Sequence, residues 1–306
     1  MRATSTTTYR SLGFFLDRTS TRMADLQKQI ATGKRMTRPS DDPTAISPLM
    51  AANTQIKNTE RYTKTINSGL DKIKNMEGHL DTINNVMIRM REITIAAGNG
   101  GYTSTDLQTF ADEIGQLREQ LIDSGNAQVD GKYLFAGFND KTTPFTWDPV
   151  ARTVSYAGDQ GSLKYEVSPG ESVEVNISGS ALMQGDLNND GVTDPGKFDI
   201  FSLITTVEDA LLANNPSGAI AEIDNIVTAN DQVLTLRSLK GNTASRLENG
   251  LRSMSQVAID MHEMKSRFED ADLLATMTSL QQQESAFQAA LTMTGKISKI
   301  SILDYI

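Results

Sequence analysis

The spacing of apolar residues at the two ends of the chain most constrains its fold. Apolar or permissive side chains recur alternately three and four residues apart near the N-terminus, over residues 9–30, and again over residues 273–300. This heptad spacing is typical of helices that pack in coiled coils, so the sequence predicts a long amphipathic helix at each end. The stripe residues that we expect to form assembly interfaces are Leu12, Leu16, Met23, Leu26, Ile30, Leu273, Met277, Leu280, Phe287, Leu291, Ile297 and Ile300.

Further helical stripes lie inside these two ends. One covers residues 66–90 and stops at the breaker cluster of residues 98–101; the next covers residues 107–121, with Ser104 or Asp106 as its cap. Another covers residues 247–268. For these inner stripes, packing within one molecule and packing between molecules both stay open. For the two terminal stripes we expect packing between molecules, because a lone helix pair with few aromatics buries little surface.

The middle of the chain loses the helical period. Residues 128–199 contain short alternating or aromatic runs, each bounded by Gly, Pro, Asp or Asn, which indicates strands joined by tight turns. The predicted fold is mainly α with a β-rich insertion: long terminal coiled-coil helices and a helical bundle stem that carries a small β domain. The predicted parts are a terminal coiled-coil domain (1–42 and 266–306), a stem (43–127 and 216–265) and an inserted outer domain (128–215).

Composition excludes several classes of function. The net charge of −9 and pI near 4.9 argue against general binding of nucleic acid. No apolar run is long enough to cross a membrane, and the first thirty residues lack the apolar region of a conventional secretory signal. The chain has no cysteine, which excludes disulfides and thiolate chemistry.

Candidate sites for metal binding or catalysis are weak. Asp186, Asn188, Asp190, Gly191 and Asp194 follow the start of an EF-hand loop, but Lys197 stands where the bidentate acid belongs. A polar surface turn is the better interpretation, and we expect no metal or cofactor. The two histidines, His79 and His262, lack the spacing of a zinc site, and no nucleophile motif appears. An enzyme is therefore not expected.

The segment TGKRMTRPSDDP, residues 32–43, resembles a phosphate-binding loop only superficially. It lacks the first glycine of that motif and follows a heptad helix instead of a strand. A joint between two helices explains its residues better. We expect Gly33 to close the first helix in a left-handed conformation, with Lys34 and Arg35 beside its carbonyl end. The remaining joint residues are Arg38, Pro39, which stops the helix, Ser40, Asp41 and Asp42, which orient the loop or cap the next helix, and Pro43 in its first turn.

These segments resemble those of a known family. The run TGKRMTRPSDDPTAI is similar to the segment after the first helix of flagellin-like axial proteins, and QQQESAFQAAL at residues 281–291, with the ending ISILDYI, resembles their C-terminal helix. The runs GKYLFAGF at residues 131–138 and TPF at residues 143–145 resemble the hook-associated protein 3 subfamily. The likeness covers both helical ends and the start of the insertion, whereas residues 150–215 match little.

The resemblance implies a secreted structural protein of the bacterial flagellum, at the hook–filament junction. It implies export without a signal peptide, an export chaperone on the C-terminal region, and no binding to nucleic acid or membrane. The expected partners are hook-associated protein 1, flagellin and other copies of the chain in a ring of about eleven subunits. It also implies that the two terminal stripes pair in a coiled coil. Filament flagellin is the alternative function.

Overall fold

The computed structural model describes residues 2–188 and 190–303, with side chains for residue 7 and for residues 9–188 and 190–296. They divide into two compact units, one of residues 1–59 with 256–306 and one of residues 60–255. The described residues form seven α-helices: α1 (Arg2–Thr32), α2 (Pro43–Asn99), α3 (Ser104–Gly125), α4 (Ile200–Leu212), α5 (Pro216–Ala221), α6 (Ile223–Glu269) and α7 (Leu273–Leu303). The predicted fold class, mainly α with long terminal helices and a small β-rich insertion, is confirmed.

The first unit, which we call the terminal unit, contains α1, α7 and the adjoining parts of α2 and α6. Within it α1 packs against α7. Buried side chains are few and small here, apart from Met36 and Ile56. None of the described helices is long and apolar enough to cross a membrane.

The second unit, which we call the body, holds the large core. The inner stripes of α2 and α3 face into it: Met76, Leu80 and Met87 are at most 1% exposed, as are Ile114 and Leu121. These stripes therefore pack within one molecule. The core also takes Phe135, Phe145 and the apolar face of α4.

The insertion contains three two-stranded antiparallel hairpins. The strands are β1 (Gln128–Val129), β2 (Lys132–Tyr133), β3 (Phe145–Asp148), β4 (Thr153–Tyr156), β5 (Lys164–Ser168) and β6 (Glu171–Glu174). Asp130 and Gly131 join β1 to β2, both with positive φ (53° and 73°), as a tight two-residue hairpin turn requires.

The structure differs from the sequence expectation at two helix starts. Helix α4 lies in the stretch predicted as β-rich; Asp199 caps it by accepting hydrogen bonds from the N–H groups of Phe201 (2.9 Å) and Ser202 (3.2 Å).

The N-cap of α3 is Thr103, not Ser104 or Asp106. Asp106 instead completes a capping box, since its carboxylate accepts from the N–H of Thr103 (2.9 Å). The predicted caps were wrong because Thr103 itself can accept from the third helical residue.

Candidate assembly surface

The packed face of the terminal helix pair, here called the seam, follows a heptad. On α7 the less exposed residues alternate four and three apart: Thr276, Leu280, Gln283, Phe287, Ala290 and Thr294. On α1 they are Leu12, Leu16, Thr19, Met23, Leu26 and Ile30. Of all these only Thr19 (4% exposed), Thr276 (8%) and Ala290 (7%) are buried. The seam is therefore real but shallow, and two of its buried side chains are threonines.

The predicted stripe residues fall into two groups. The five on α1, together with Leu280 and Phe287 on α7, are half-buried in the seam. Leu273, Met277 and Leu291 are 44%, 52% and 49% exposed, and so lie off the packed face. The side chains of Ile297 and Ile300 lie outside those that the structure describes. The role of all these residues in assembly stays a prediction.

Large apolar residues remain exposed on both terminal helices. Leu274 is 78% exposed, Phe14 75% and Met293 59%, beside Phe15 and Tyr9 at 47% and 36%. With Leu273, Met277 and Leu291 they form a set that we call the exposed apolar set. We expect partner chains to cover some of these side chains. Phe14, Phe15, Leu274 and Met293 were not among the predicted residues, although large apolar residues outside a heptad stripe are a signal that the sequence offers.

The joint between α1 and α2 is closed at both ends by local backbone chemistry. Gly33 has φ +69°, the left-handed conformation that closes a helix and favours glycine. Asp42 caps α2: its Oδ1 accepts from the N–H (3.2 Å) and hydroxyl (2.6 Å) of Thr44, and Pro43 occupies the first helical position.

Asp41 organises the loop of the joint, since its Oδ2 accepts from the N–H groups of Thr37 (2.9 Å) and Arg38 (2.8 Å). These bonds to the ionised form lower the pKa of Asp41. Arg38, Pro39 and Ser40 are exposed, and a bonding role for Ser40 stays a prediction.

Two of the three cations of the joint, Lys34 and Arg35, find partners on α6. The Arg35 guanidinium donates to the carbonyl of Phe268 (3.1 Å), in the last turn of α6, and the Lys34 ammonium pairs with the Glu269 carboxylate. That pairing raises the pKa of Lys34. The two cations therefore lie beside the carbonyl end of α6, where cations are favoured. The order of residues in the sequence does not indicate this pairing, because α6 ends more than two hundred residues after the joint.

Backbone bonds tie this joint to the turn between α6 and α7. The N–H of Arg35 donates to the carbonyl of Glu269 (2.7 Å), and the N–H of Ala271 donates to the carbonyl of Gly33 (2.9 Å). Lys34 and Asp270 face each other as an isolated antiparallel bridge. The two connections that lead into the terminal pair are thus one hydrogen-bonded structure.

The turn that resembles an EF-hand start satisfies its carboxylates internally. Asp186 is 2% exposed and accepts from the N–H of Gly191 (3.0 Å) and the side-chain amide of Gln160 (2.7 Å). Asp194 accepts from the N–H groups of Leu187 (2.7 Å) and Asn188 (3.2 Å). No group of three His, Asp or Glu side chains suited to a metal occurs among the described residues. That the turn binds no Ca²⁺ stays a prediction.

The histidines lie apart from these features. His79 is half-buried in α2, and burial lowers its pKa, whereas His262 on α6 is exposed. A shallow terminal seam and exposed apolar side chains are typical of one class: structural proteins that pack with other chains through long terminal helices.

Comparison with known proteins identifies the family. Residues 7–140 match the bacterial flagellin N-terminal helical region and residues 223–306 match the bacterial flagellin C-terminal helical region. Together these segments make up more than two thirds of the chain. The chain belongs to the flagellin family, as its joint and C-terminal run predicted, and is a structural protein of the bacterial flagellum.

Within that family the chain resembles a particular protein. It is 26% identical to flagellar hook-associated protein 3 of Escherichia coli over 86% of both chains, and 26% identical to that of Salmonella typhimurium over 87% of both. It is 23% identical to the flagellin of Bacillus subtilis over 93% of both. Its fold is that of a flagellar hook-associated protein from Vibrio parahaemolyticus (18% identity, TM-score 0.66, covering 75% of this chain and all of that one). The flagellar junction protein of Legionella pneumophila has the same fold (17% identity, TM-score 0.61, 73% of this chain and all of that one).

Proposed function

We propose that this protein is a structural junction component that joins the flagellar hook, through hook-associated protein 1, to the flagellin filament. After export with the help of a chaperone on its C-terminal region, it assembles into a ring-like layer of about eleven subunits. It performs no catalysis. Its location is the hook–filament junction, outside the cell.

The observation that carries assembly with other chains is the terminal pair. Its seam buries only three side chains, while large apolar residues such as Phe14 (75% exposed) and Leu274 (78%) face outward. A water-exposed surface of this kind is costly unless partners cover it. The resemblance of residues 131–138 to the hook-associated protein 3 subfamily, and the names of the two relatives at 26% identity, support a junction component over a filament subunit.

Filament flagellin is the second candidate. It is favoured by relatives named flagellin that cover nearly the whole chain, such as the protein of Bacillus subtilis. A filament subunit would also need partners on its terminal helices, so the terminal pair does not separate the two functions.

Deleting the chain from its own cells separates them. Loss of a junction component leaves hooks without filaments and flagellin shed into the medium. Loss of a flagellin leaves a complete hook and junction without shed subunits. Immunogold labelling of isolated flagella supplies the second measurement: label confined to the base of the filament supports the junction, and label along the filament rejects it.

A further inference from the structure

Charge is distributed unequally between the two units. The body holds 27 acidic residues and 16 Lys or Arg, a net −11, whereas the terminal unit holds 11 and 13, a net +2. The overall net charge of −9 therefore belongs to the body. Between copies of such a chain, net charge favours contact of a terminal unit with a body over contact of two bodies.

The positive charge of α1 is concentrated on one side. Arg10, Arg18, Arg22 and Lys28 fall within an arc of about 120° at the helical repeat, roughly opposite the seam. All four are exposed, and none of them forms an ion pair with a described residue. Phe14, 75% exposed, lies in the same arc, as does one acid, Asp25. We call this the cationic stripe. Arg18 and Arg22, one turn apart, repel each other in the isolated molecule.

The matching surface lies on α3. Asp112, Glu119 and Asp123 fall within an arc of about 40° on its outer side and are exposed. None of the three pairs with a cation among the described residues, whereas Glu113 beside them pairs with Arg89 at 2.7 Å. The one basic residue of α3, Arg118, points inward and is 8% exposed. We call these three carboxylates the acidic face.

We propose that the cationic stripe of one copy binds the acidic face of a second copy. This rests on the proposed assembly of identical subunits. In a ring of more than two subunits each interface joins two different patches of the chain, and the contact must be between unlike surfaces. The stripe and the face satisfy that requirement, since each is unpaired alone and opposite in sign to the other. The electrostatic pairing sets which surfaces meet, and Phe14 supplies apolar contact within it.

A charge exchange between purified full-length proteins tests this. One variant carries Arg18→Glu and Arg22→Glu, and the other carries Glu119→Arg and Asp123→Arg. Static light scattering at high protein concentration measures the attraction between molecules at low and at high salt. We expect the unchanged protein to show an attraction that salt removes, and each variant alone to lose it. An equimolar mixture of the two should regain about half, because half of the encounters then join two variants with surfaces of opposite sign.

The control carries Lys64→Glu and Lys74→Glu, two exposed cations of α2, which alter net charge as much as the first variant does. It should keep the attraction of the unchanged protein. The proposal is overturned if the unchanged protein shows no salt-sensitive attraction, or if the control variant loses that attraction. It is also overturned if the mixture of the two variants does not regain the attraction. So would an α3 variant that behaves like the unchanged protein, because the stripe would then meet another surface. The measurement needs no filament, so a failed junction role shows separately in the deletion cells.

Discussion

At the scale of single residues, one buried cluster stands out in the body. The Arg118 guanidinium lies 3.9 Å from the centroid of the Trp147 ring and pairs with Glu208, each charged residue being 8% exposed. Arg152 lies 3.0 Å from the same carboxylate and 2.7 Å from the more exposed Asp209. The cluster ties the β3–β4 hairpin to α3 and α4. Removing one partner of a buried ion pair leaves an unpaired charge in the interior and lowers stability strongly, whereas removing an exposed partner lowers stability little.

Glu208→Ala should therefore destabilise the protein strongly. We expect a loss of about 3–5 kcal/mol in the free energy of unfolding, since Arg118 would stay buried without its carboxylate. Asp209→Ala is the matched control and should cost less than about 1 kcal/mol. Urea unfolding followed by Trp147 fluorescence measures both. Equal losses of unfolding free energy in the two variants would show that the buried pair contributes no more to stability than the exposed one.

The joint should respond to acid through Asp41. Because hydrogen bonds from Thr37 and Arg38 lower its pKa in the folded state, Asp41 stabilises the loop above its unfolded pKa of about 3.9. That contribution disappears as the pH falls through the lowered folded value. Amide resonances of Thr37 and Arg38 should shift together below about pH 4. In Asp41→Asn this transition should be absent; its persistence would assign the shift to another group, such as Asp42.

At the scale of elements, heptad spacing predicted both terminal helices but not which residues lie between them. The seam on α7 uses Thr276 and Ala290, whose side chains carry little hydrophobic signal, whereas Leu273, Met277 and Leu291 face outward. A small residue such as Thr or Ala can fill a shallow contact, but it adds little to the apolar spacing from which the packed face of a helix is predicted. The joint was easier, because Gly33, Asp42 and Pro43 act through local backbone chemistry that neighbouring residues specify.

Substitutions at the adjacent residues Ala290 and Leu291 test the roles of the seam and of the exposed apolar set independently. Leu291→Asp should abolish filament attachment while the body folds normally, because a charge would be buried without a partner in the assembled structure. Ala290→Asp should instead loosen α1 from α7 in the monomer. Gln288→Asp, on an exposed position, is the control and should be far milder. Motility and helix content by circular dichroism measure the effects, and normal motility in Leu291→Asp would refute the assembly role.

The turn at residues 186–194 should not bind Ca²⁺ at physiological levels. Its carboxylates already accept backbone N–H groups, and Lys197 replaces the bidentate ligand. Isothermal titration calorimetry of the full chain should give no heat of binding at micromolar Ca²⁺. Lys197→Glu is a useful comparison, since it restores the missing acid. Tight binding by the unchanged chain would contradict the interpretation.

At the scale of the whole molecule, the structure divides inside continuous helices. The boundaries at residues 59–60 and 255–256 fall within α2 and α6, and no Gly or Pro lies within four residues of either boundary. Gly and Pro in a sequence mark changes of chain direction, so the predicted limits at residues 42–43, 127–128 and 215–216 fall near turns, whereas the limit at 265–266 falls within α6. The three-part division stays a prediction. Helix α4 was missed although its 13 residues are amphipathic, because it directly follows the turn-rich residues 185–199 and was grouped with them.

The two units should differ in stability. The body has a continuous core, but the terminal seam buries only Thr19, Thr276 and Ala290. Its contacts offset little of the entropy lost on ordering two 31-residue helices. In a dilute monomer the amides of residues 12–30 should exchange rapidly, while those of residues 76–90 stay protected. Hydrogen exchange followed by mass spectrometry decides this. Strong protection of both segments would mean that the seam is stable without partners.

The pairing of α1 with α7 also has a temporal consequence. A chain made from its N-terminus completes α1 first, but the helix that α1 packs against begins only at Leu273. More than two hundred residues must be synthesised in between, and a contact so distant in sequence forms late. The bond from Ala271 to Gly33 likewise waits for the last part of the chain. The first helix made therefore remains without its partner until almost the entire protein has been produced.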